Sequence, residues 1–280
     1  MIIIPLILLL SMVIIRFNKG MFAALIFIIA TKSIMDAFWY MKIGSFSILS
    51  IQGFLIPLLF LSLLSKVNSL PEFWIQNAKY YIFSLSVGLI WGFTHSTINT
   101  IELILLNINI FLGFILFPLL VKSDKHVRYL LISIIISGVF PILVSLYQFK
   151  TGIVFNVRET VGLTRYVGFY HDAFPVRFYS LMTFFSILVY SNYFEIKTRL
   201  LSIILTVIIG GTFFSLYLVF SKAGVSIIGV WFIILLLISK NRIRQGFAFL
   251  VGSLVLFLVF GDIFYSNLEQ LFSKEIGYQV

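Results

Sequence analysis

The chain has 280 residues, of which 61% are hydrophobic and only 11% are charged, and its formal net charge is +10. Soluble domains carry about 25% charged residues, so the composition excludes soluble globular, disordered and fibrous proteins. Because a spanning helix needs about 20 mostly apolar residues, residues 1–280 are predicted to form a single integral membrane domain. We expect an all-α, polytopic transmembrane helical bundle of about ten spans. Cysteine is absent, which excludes disulfides and cysteine-ligated metal sites.

The apolar runs, taken in chain order, predict where these spans lie. The first run is short for a full crossing and has no basic segment before it, so it resembles a first span more than a signal peptide. The predicted spans are residues 2–15, 21–41, 43–65, 80–98, 101–121, 129–149, 173–194, 200–220, 223–239 and 246–261. The tail from 262 to 280 places apolar residues on one helical face, which predicts a helix lying along the membrane surface.

The distribution of Lys and Arg predicts the orientation of the spans. Twelve of the twenty basic residues lie in alternate short loops, at 16–20, 66–79, 122–128, 195–199 and 240–244. Basic loops stay on the cytoplasmic side, so the loop at 150–172 and the C-terminal tail are predicted to be extracytoplasmic. Topology therefore accounts for most of the excess charge, and no nucleic-acid partner is expected.

The extracytoplasmic loop is basic, which topology does not explain. Four cations fall within 28 residues, namely Lys150, Arg158, Arg165 and Arg177. Arginine binds phosphate oxygens in a bidentate manner, so the group predicts an anionic ligand, such as a diphosphate headgroup, at the outer membrane surface. The alternative is that each cation only keeps the loop soluble.

Residues 165–172 form the strongest local pattern in this loop. Gly168 permits a tight turn of the backbone, and Asp172 can cap a helix that begins at Ala173. Arg165 and His171 near that helix N-terminus make a donor-rich pocket, which the helix dipole reinforces. A second pattern, Ser221-Lys222, lies between two spans on the same predicted face, and a plain interhelical turn is the alternative there.

These two patterns resemble the O-antigen ligase and polymerase family over about residues 125–262. Arg165 and Gly168 match its first motif, although His171-Asp172-Ala173 stands where the family has Pro-Asn. Ser221 matches the second motif, where Lys222 replaces the usual Arg. The family has a further extracytoplasmic loop after the span that corresponds to 246–261. Val280 lies about where that loop would begin, so the resemblance implies a truncated or divergent member.

The resemblance implies a metal-independent glycosyltransferase of the bacterial cytoplasmic (inner) membrane that needs no cofactor. Its donor would be an oligosaccharide on undecaprenyl diphosphate and its acceptor a sugar hydroxyl, in the synthesis of O-antigen, capsule or exopolysaccharide. Envelope polysaccharide assembly proteins and membrane lipid would be its partners. Arg165 would be catalytic, and the chemistry of transfer, which needs a general base, makes His171 the second catalytic candidate. The residues expected to bind the diphosphate are Arg158, Arg165, Arg177 and Lys222, and further base candidates on the outer face are His95 and Glu102.

A transporter or lipid-linked oligosaccharide flippase without covalent chemistry is the main alternative, and a scaffold of an envelope assembly complex is another. A transporter would carry charged sites near the bilayer midplane. Lys32 and Asp36, one helical turn apart in the second span, are either an internal ion pair or a proton or ion relay. The concentration of charge at one face favours surface chemistry over transport.

Overall fold

A computed structural model describes residues 2–44, 46–95, 107, 111–114, 117–156, 159–160, 163–196, 198–219, 227 and 229–230. The described chain is mostly helical, as the composition predicts. Its α-helices are α1 (Ile3–Lys19), α2 (Met21–Ala37), α3 (Ile48–Phe60), α4 (Glu72–His95), α5 (Asp124–Thr151), α6 (Ala173–Tyr193) and α7 (Arg199–Leu218). A 3₁₀-helix covers Leu61–Ser69, and residues 111–114 and 117–120 are also helical.

Three of the described helices, α5, α6 and α7, are long and apolar enough to cross a membrane by length and composition. At 1.5 Å per residue, the 28 residues of α5 extend over about 42 Å, whereas a bilayer core is about 30 Å thick. Helices α1 and α2 have 17 residues each, which is about 26 Å by the same measure. The structure therefore supports a membrane protein.

The helix boundaries agree with the sequence most closely at α6 and α7, which were predicted at 173–194 and 200–220. The predicted span over 43–65 is wrong at its start, and at its other end the α-helix gives way to the 3₁₀-helix at Leu61. Strands β1 (Lys42–Ile43) and β2 (Phe46–Ser47) pair antiparallel before α3 starts, because Gly44 takes a φ of +60° in the turn. The Ser47 Oγ then accepts the backbone N–H of Ser50 at 3.0 Å and caps the helix.

Helix α4 begins eight residues before the predicted span at 80–98, inside the stretch expected to be a polar loop. Glu72 lies in its first turn, where a carboxylate is favoured by the helix dipole. The Gln76 side-chain amide donates to Glu72 Oε1 at 3.2 Å, one helical turn away. Local polar contacts thus extend the helix beyond its apolar run.

The chain divides into two compact units, and each is described by itself. The first comprises Met1–Phe140 and Met182–Thr206, and the second comprises Pro141–Leu181 with the described residues from Val207 onward. The core of the first unit forms where α1, α2, α3 and the 3₁₀-helix meet. Its most buried members include Met12, Ala24, Met35, Ile48, Phe60 and Leu63.

The second unit contains the C-terminal part of α5, the N-terminal part of α6 and the C-terminal part of α7. Between α5 and α6, strands β3 (Glu159–Thr160) and β4 (Leu163–Thr164) form a short antiparallel pair inside the predicted loop. The buried side chains of this unit include Val167, Tyr170, Val176 and Leu216. This unit positions the residues that the sequence selects as a site.

Candidate functional site

The Arg165–Asp172 segment is held in the second unit by two hydrogen bonds from its backbone. The N–H of Tyr166 donates to the carbonyl of Leu218, the last residue of α7, at 3.3 Å. The N–H of Gly168 donates to Oε1 of Gln148, on α5, at 2.7 Å. The segment is therefore fastened to two helices that are distant from it in sequence.

Gly168 makes the tight turn that the sequence predicts. Its φ is +68°, a conformation that costs residues with a Cβ about 1–2 kcal/mol. A Cβ placed on it would lie 3.2 Å from Cγ1 of Val144 on α5. Glycine is favoured here both by the backbone conformation and by the close approach of the turn to the helix.

Two side chains of the segment serve as buried anchors. Val167 and Tyr170 are 0% and 1% exposed, and Asn156 donates from Nδ2 to the carbonyl of Tyr170 at 3.0 Å. The ring of Phe155 stacks on Phe169, with 4.2 Å between the ring centroids. Together these contacts join the segment to the chain that leaves α5, so the backbone around Gly168 has one defined position.

Arg165 is half-buried at the start of the segment. Its Nε is buried and has no hydrogen-bond partner in the part of the chain that the structure describes. The Nε2 of Gln148 is also buried without a hydrogen-bond partner among the described residues, and Gln148 is 0% exposed. Buried N–H donors in native proteins nearly always have acceptors, so two donors without one, at Arg165 and at the residue that binds the Gly168 N–H, make this turn the candidate position for an anionic group.

Helix α6 begins at Ala173, as predicted from the sequence. Oδ1 of Asp172 accepts the N–H of Ala173 at 2.6 Å, and both His171 and Asp172 are exposed. Arg177 lies one turn into α6, where its guanidinium is 5.3 Å from the ring centroid of Phe174. Arg165, Gly168, His171 and Asp172 thus share one continuous segment, whereas Arg177 stacks on its own helix.

Several of the predicted site residues lie outside the described residues. They are Arg158, Glu102, Ser221 and Lys222, and of His95 only the backbone, at the end of α4, is described. Within the described ranges, no group of three or more His, Cys, Asp or Glu side chains could hold a metal ion.

Gln148 and Asn156 are site residues that the sequence reasoning missed. Gln148 is the only amide side chain in the predicted span 129–149. Polar side chains inside apolar spans mark helix contacts or functional sites. A glutamine at this position in a span was therefore the sequence feature that could have identified Gln148. No sequence feature identified Asn156, because asparagine is common in polar loops.

Lys32 and Asp36 form an ion pair within α2, with Lys32 Nζ donating to Oδ1 of Asp36. This confirms the interpretation that they are paired at four-residue spacing. The carboxylate satisfies a lysine that would otherwise be costly in an apolar helix.

No match to this chain is found among protein-family models, curated proteins or solved structures.

Proposed function

We propose that this protein is a membrane glycan polymerase or ligase of about ten spans in the bacterial cytoplasmic membrane. It transfers an oligosaccharide from a lipid-diphosphate donor, of the undecaprenyl type, to a sugar hydroxyl at the outer face. The products are surface polysaccharides such as O-antigen, capsule or exopolysaccharide.

One observation carries the proposal, namely the hydrogen bond from the N–H of Tyr166 to the carbonyl of Leu218. It joins the motif of Arg165 and Gly168 to the end of the helix that precedes Ser221 by three residues in the sequence. The two motifs of the resembling family are separated by about fifty residues of sequence. A direct bond from the first motif to the residues before the second supports a common site.

The chemistry of transfer matches the donors of the Arg165–Asp172 segment. The anomeric C–O bond to the diphosphate breaks, and a new C–O bond forms to the acceptor hydroxyl. Negative charge develops on the departing diphosphate, which a half-buried guanidinium such as Arg165 stabilises without a metal ion. The acceptor hydroxyl loses its proton to a general base, for which His171 is the candidate in the same segment.

Transport without covalent chemistry has less support. Its best candidates in the sequence, Lys32 and Asp36, are bonded to each other in α2. An ion pair within one helix has a structural role that needs no transported proton.

The proposal is tested by replacing Arg165 in the organism's own cells after deletion of the chromosomal copy. We expect Arg165→Ala to lower glycan transfer about 10²- to 10³-fold, as the loss of one oxyanion-stabilising donor does. Arg165→Lys keeps the charge, loses the forked geometry and should retain part of the activity. The readout is the length distribution of the surface polysaccharide.

The matched control is Arg199→Ala, which removes an exposed arginine at the start of α7 and should leave the glycan unchanged. The amount of each variant in the membrane is measured by immunoblot. Wild-type glycan from an Arg165→Ala protein present at the normal level would refute the proposed role.

A further inference from the structure

Gln148 is a buried polar side chain that bonds directly to the Arg165–Asp172 segment. Its residue is 0% exposed, although it lies near the end of an apolar helix of 28 residues. An uncharged apolar side chain would be the cheaper occupant of that position, because a buried amide must recover all the hydrogen bonds that it loses from water. Both ends of the Gln148 amide group therefore need to be accounted for.

One end of the amide is accounted for. Oε1 accepts the N–H of Gly168 at 2.7 Å, and this contact also fixes which atom is which. If the amide were turned over, its NH₂ group would face another N–H donor, so the oxygen must point to Gly168. The nitrogen is then directed away from that bond with both of its hydrogens available.

The other end has no acceptor among the described residues. Nε2 of Gln148 is buried without a partner, and so is Nε of Arg165, three residues before the glycine that Gln148 holds. Both groups are N–H donors, so neither can satisfy the other. A single group with several acceptor oxygens would satisfy both donors, and the guanidinium of Arg165 favours a negatively charged one.

We propose that Gln148 is a binding residue for a phosphoryl group. Its carbonyl sets the turn at Gly168, and its NH₂ donates to an oxygen of the same anion that Arg165 Nε binds. This assignment rests on the proposed function insofar as the anion is identified as the diphosphate of a lipid-linked donor. Gln148 thus couples the conformation of the turn to recognition of the leaving group.

Binding is measured on the full chain, purified in detergent, with farnesyl diphosphate and inorganic diphosphate as probes. Gln148→Glu keeps an acceptor for Gly168 and removes the NH₂ donors, so we expect the Kd for diphosphate to rise at least tenfold, which corresponds to about 1.4 kcal/mol. Gln148→Met, of similar length and uncharged, should also lose binding and serves if the Glu variant does not fold.

The two probes identify the source of the anion. Tighter binding of farnesyl diphosphate than of inorganic diphosphate would assign the anion to a lipid headgroup, and equal binding would assign a free anion.

Ser180→Ala is the control for structural damage in the same unit. Ser180 Oγ lies 2.7 Å from Oγ of Ser215, and both residues are 0% exposed, so the variant loses a buried hydrogen bond without touching the segment. It should lower the Tm and leave the Kd unchanged. Wild-type affinity in folded Gln148→Glu or Gln148→Met overturns the inference, and so does a wild-type protein that binds neither probe. The glycan assay with Arg165→Ala is independent of both results, so it decides separately whether the proposed function stands.

Discussion

The side-chain carbonyl of Gln148 and the backbone N–H of Gly168 lie 2.7 Å apart, which ties α5 to a turn twenty residues further along the chain. The bond satisfies a buried backbone donor in a segment that has no ladder partner for it. It also places Gly168 against Val144 on the same helix. The position of Arg165 therefore depends on side chains of α5 and not on the loop sequence alone.

Replacing Gly168 by Ala should lower stability more than replacing Gly152 by Ala. Both glycines have a positive φ, +68° and +69°, so each substitution carries a backbone cost of about 1–2 kcal/mol. Only at Gly168 does the new methyl group meet a neighbour, Cγ1 of Val144 at 3.2 Å, whereas the space around Gly152 is open. The measurement is thermal unfolding of the two variants in detergent.

A double variant tests whether the contact between Val144 and a methyl group at position 168 lowers the stability. Val144→Ala shortens the side chain that the new methyl group meets, so the Gly168→Ala/Val144→Ala double variant should recover part of the loss when compared with the sum of the single variants. Equal Tm losses for Gly152→Ala and Gly168→Ala would show that the contact with Val144 has no energetic weight.

The adjacent glycines of α7, Gly210 and Gly211, should respond differently to replacement by alanine. A Cβ on Gly211 would lie 2.9 Å from Cγ2 of Ile142, whereas nothing lies within 4 Å of one on Gly210. Gly211→Ala is therefore expected to destabilise the protein by about 1–3 kcal/mol through overpacking. Gly210→Ala should be neutral or stabilising by up to about 1 kcal/mol, because alanine favours the helix.

Thermal unfolding of both α7 variants under one set of conditions measures this difference. The pair is matched in residue type, helix and substitution, so only the neighbour of the new methyl group differs. A loss of stability at Gly210 that equals the loss at Gly211 would contradict the close approach of α7 to α5.

The Lys32–Asp36 ion pair should show energetic coupling in a double-mutant cycle. Removing one partner, as in Asp36→Leu or Lys32→Leu, leaves the other charge without its counter-ion in an apolar helix and is expected to lower the Tm. The double variant removes both charges together and should lie closer to the wild type than either single variant does. Thermal unfolding of the three proteins forms the cycle.

The surface glycan made by the double variant distinguishes a structural ion pair from a proton or ion relay. In a structural pair, the double variant retains wild-type surface glycan. Loss of the glycan in a stable double variant would instead support a transport role for Lys32 and Asp36.

The boundaries of α6 and α7 were largely predictable because they are chemical contrasts along the chain. Asp172 and Pro175 mark the start of α6, and charged residues at 195 and 199 separate it from α7. The start of α3 was not predictable from apolar runs, since Ile43 and Phe46 are as apolar as helix residues and their pairing depends on the turn at Gly44. Periodicity does not distinguish a short hairpin from the first turn of a helix.

The site was predictable in part for a related reason. The residue types of the Arg165–Asp172 segment indicate an anion because arginine, histidine and a helix start are rare together in so apolar a chain. Gln148 was not predicted as a site residue, because its role depends on its burial and on a hydrogen bond to a residue twenty positions away. No local pattern reports such a bond.

Sequence alone determined that this protein is a helical membrane protein with four cations in or beside the loop at 150–172, because hydropathy and charge are properties of residue types. Only the tertiary structure decided which side chains meet that loop. The bonds from Tyr166 to Leu218 and from Gly168 to Gln148 arise from packing between helices that are far apart in sequence. That packing leaves Arg165 and Gln148 with buried donors at one turn, and it is this arrangement that turns an excess of charge into a candidate anion site.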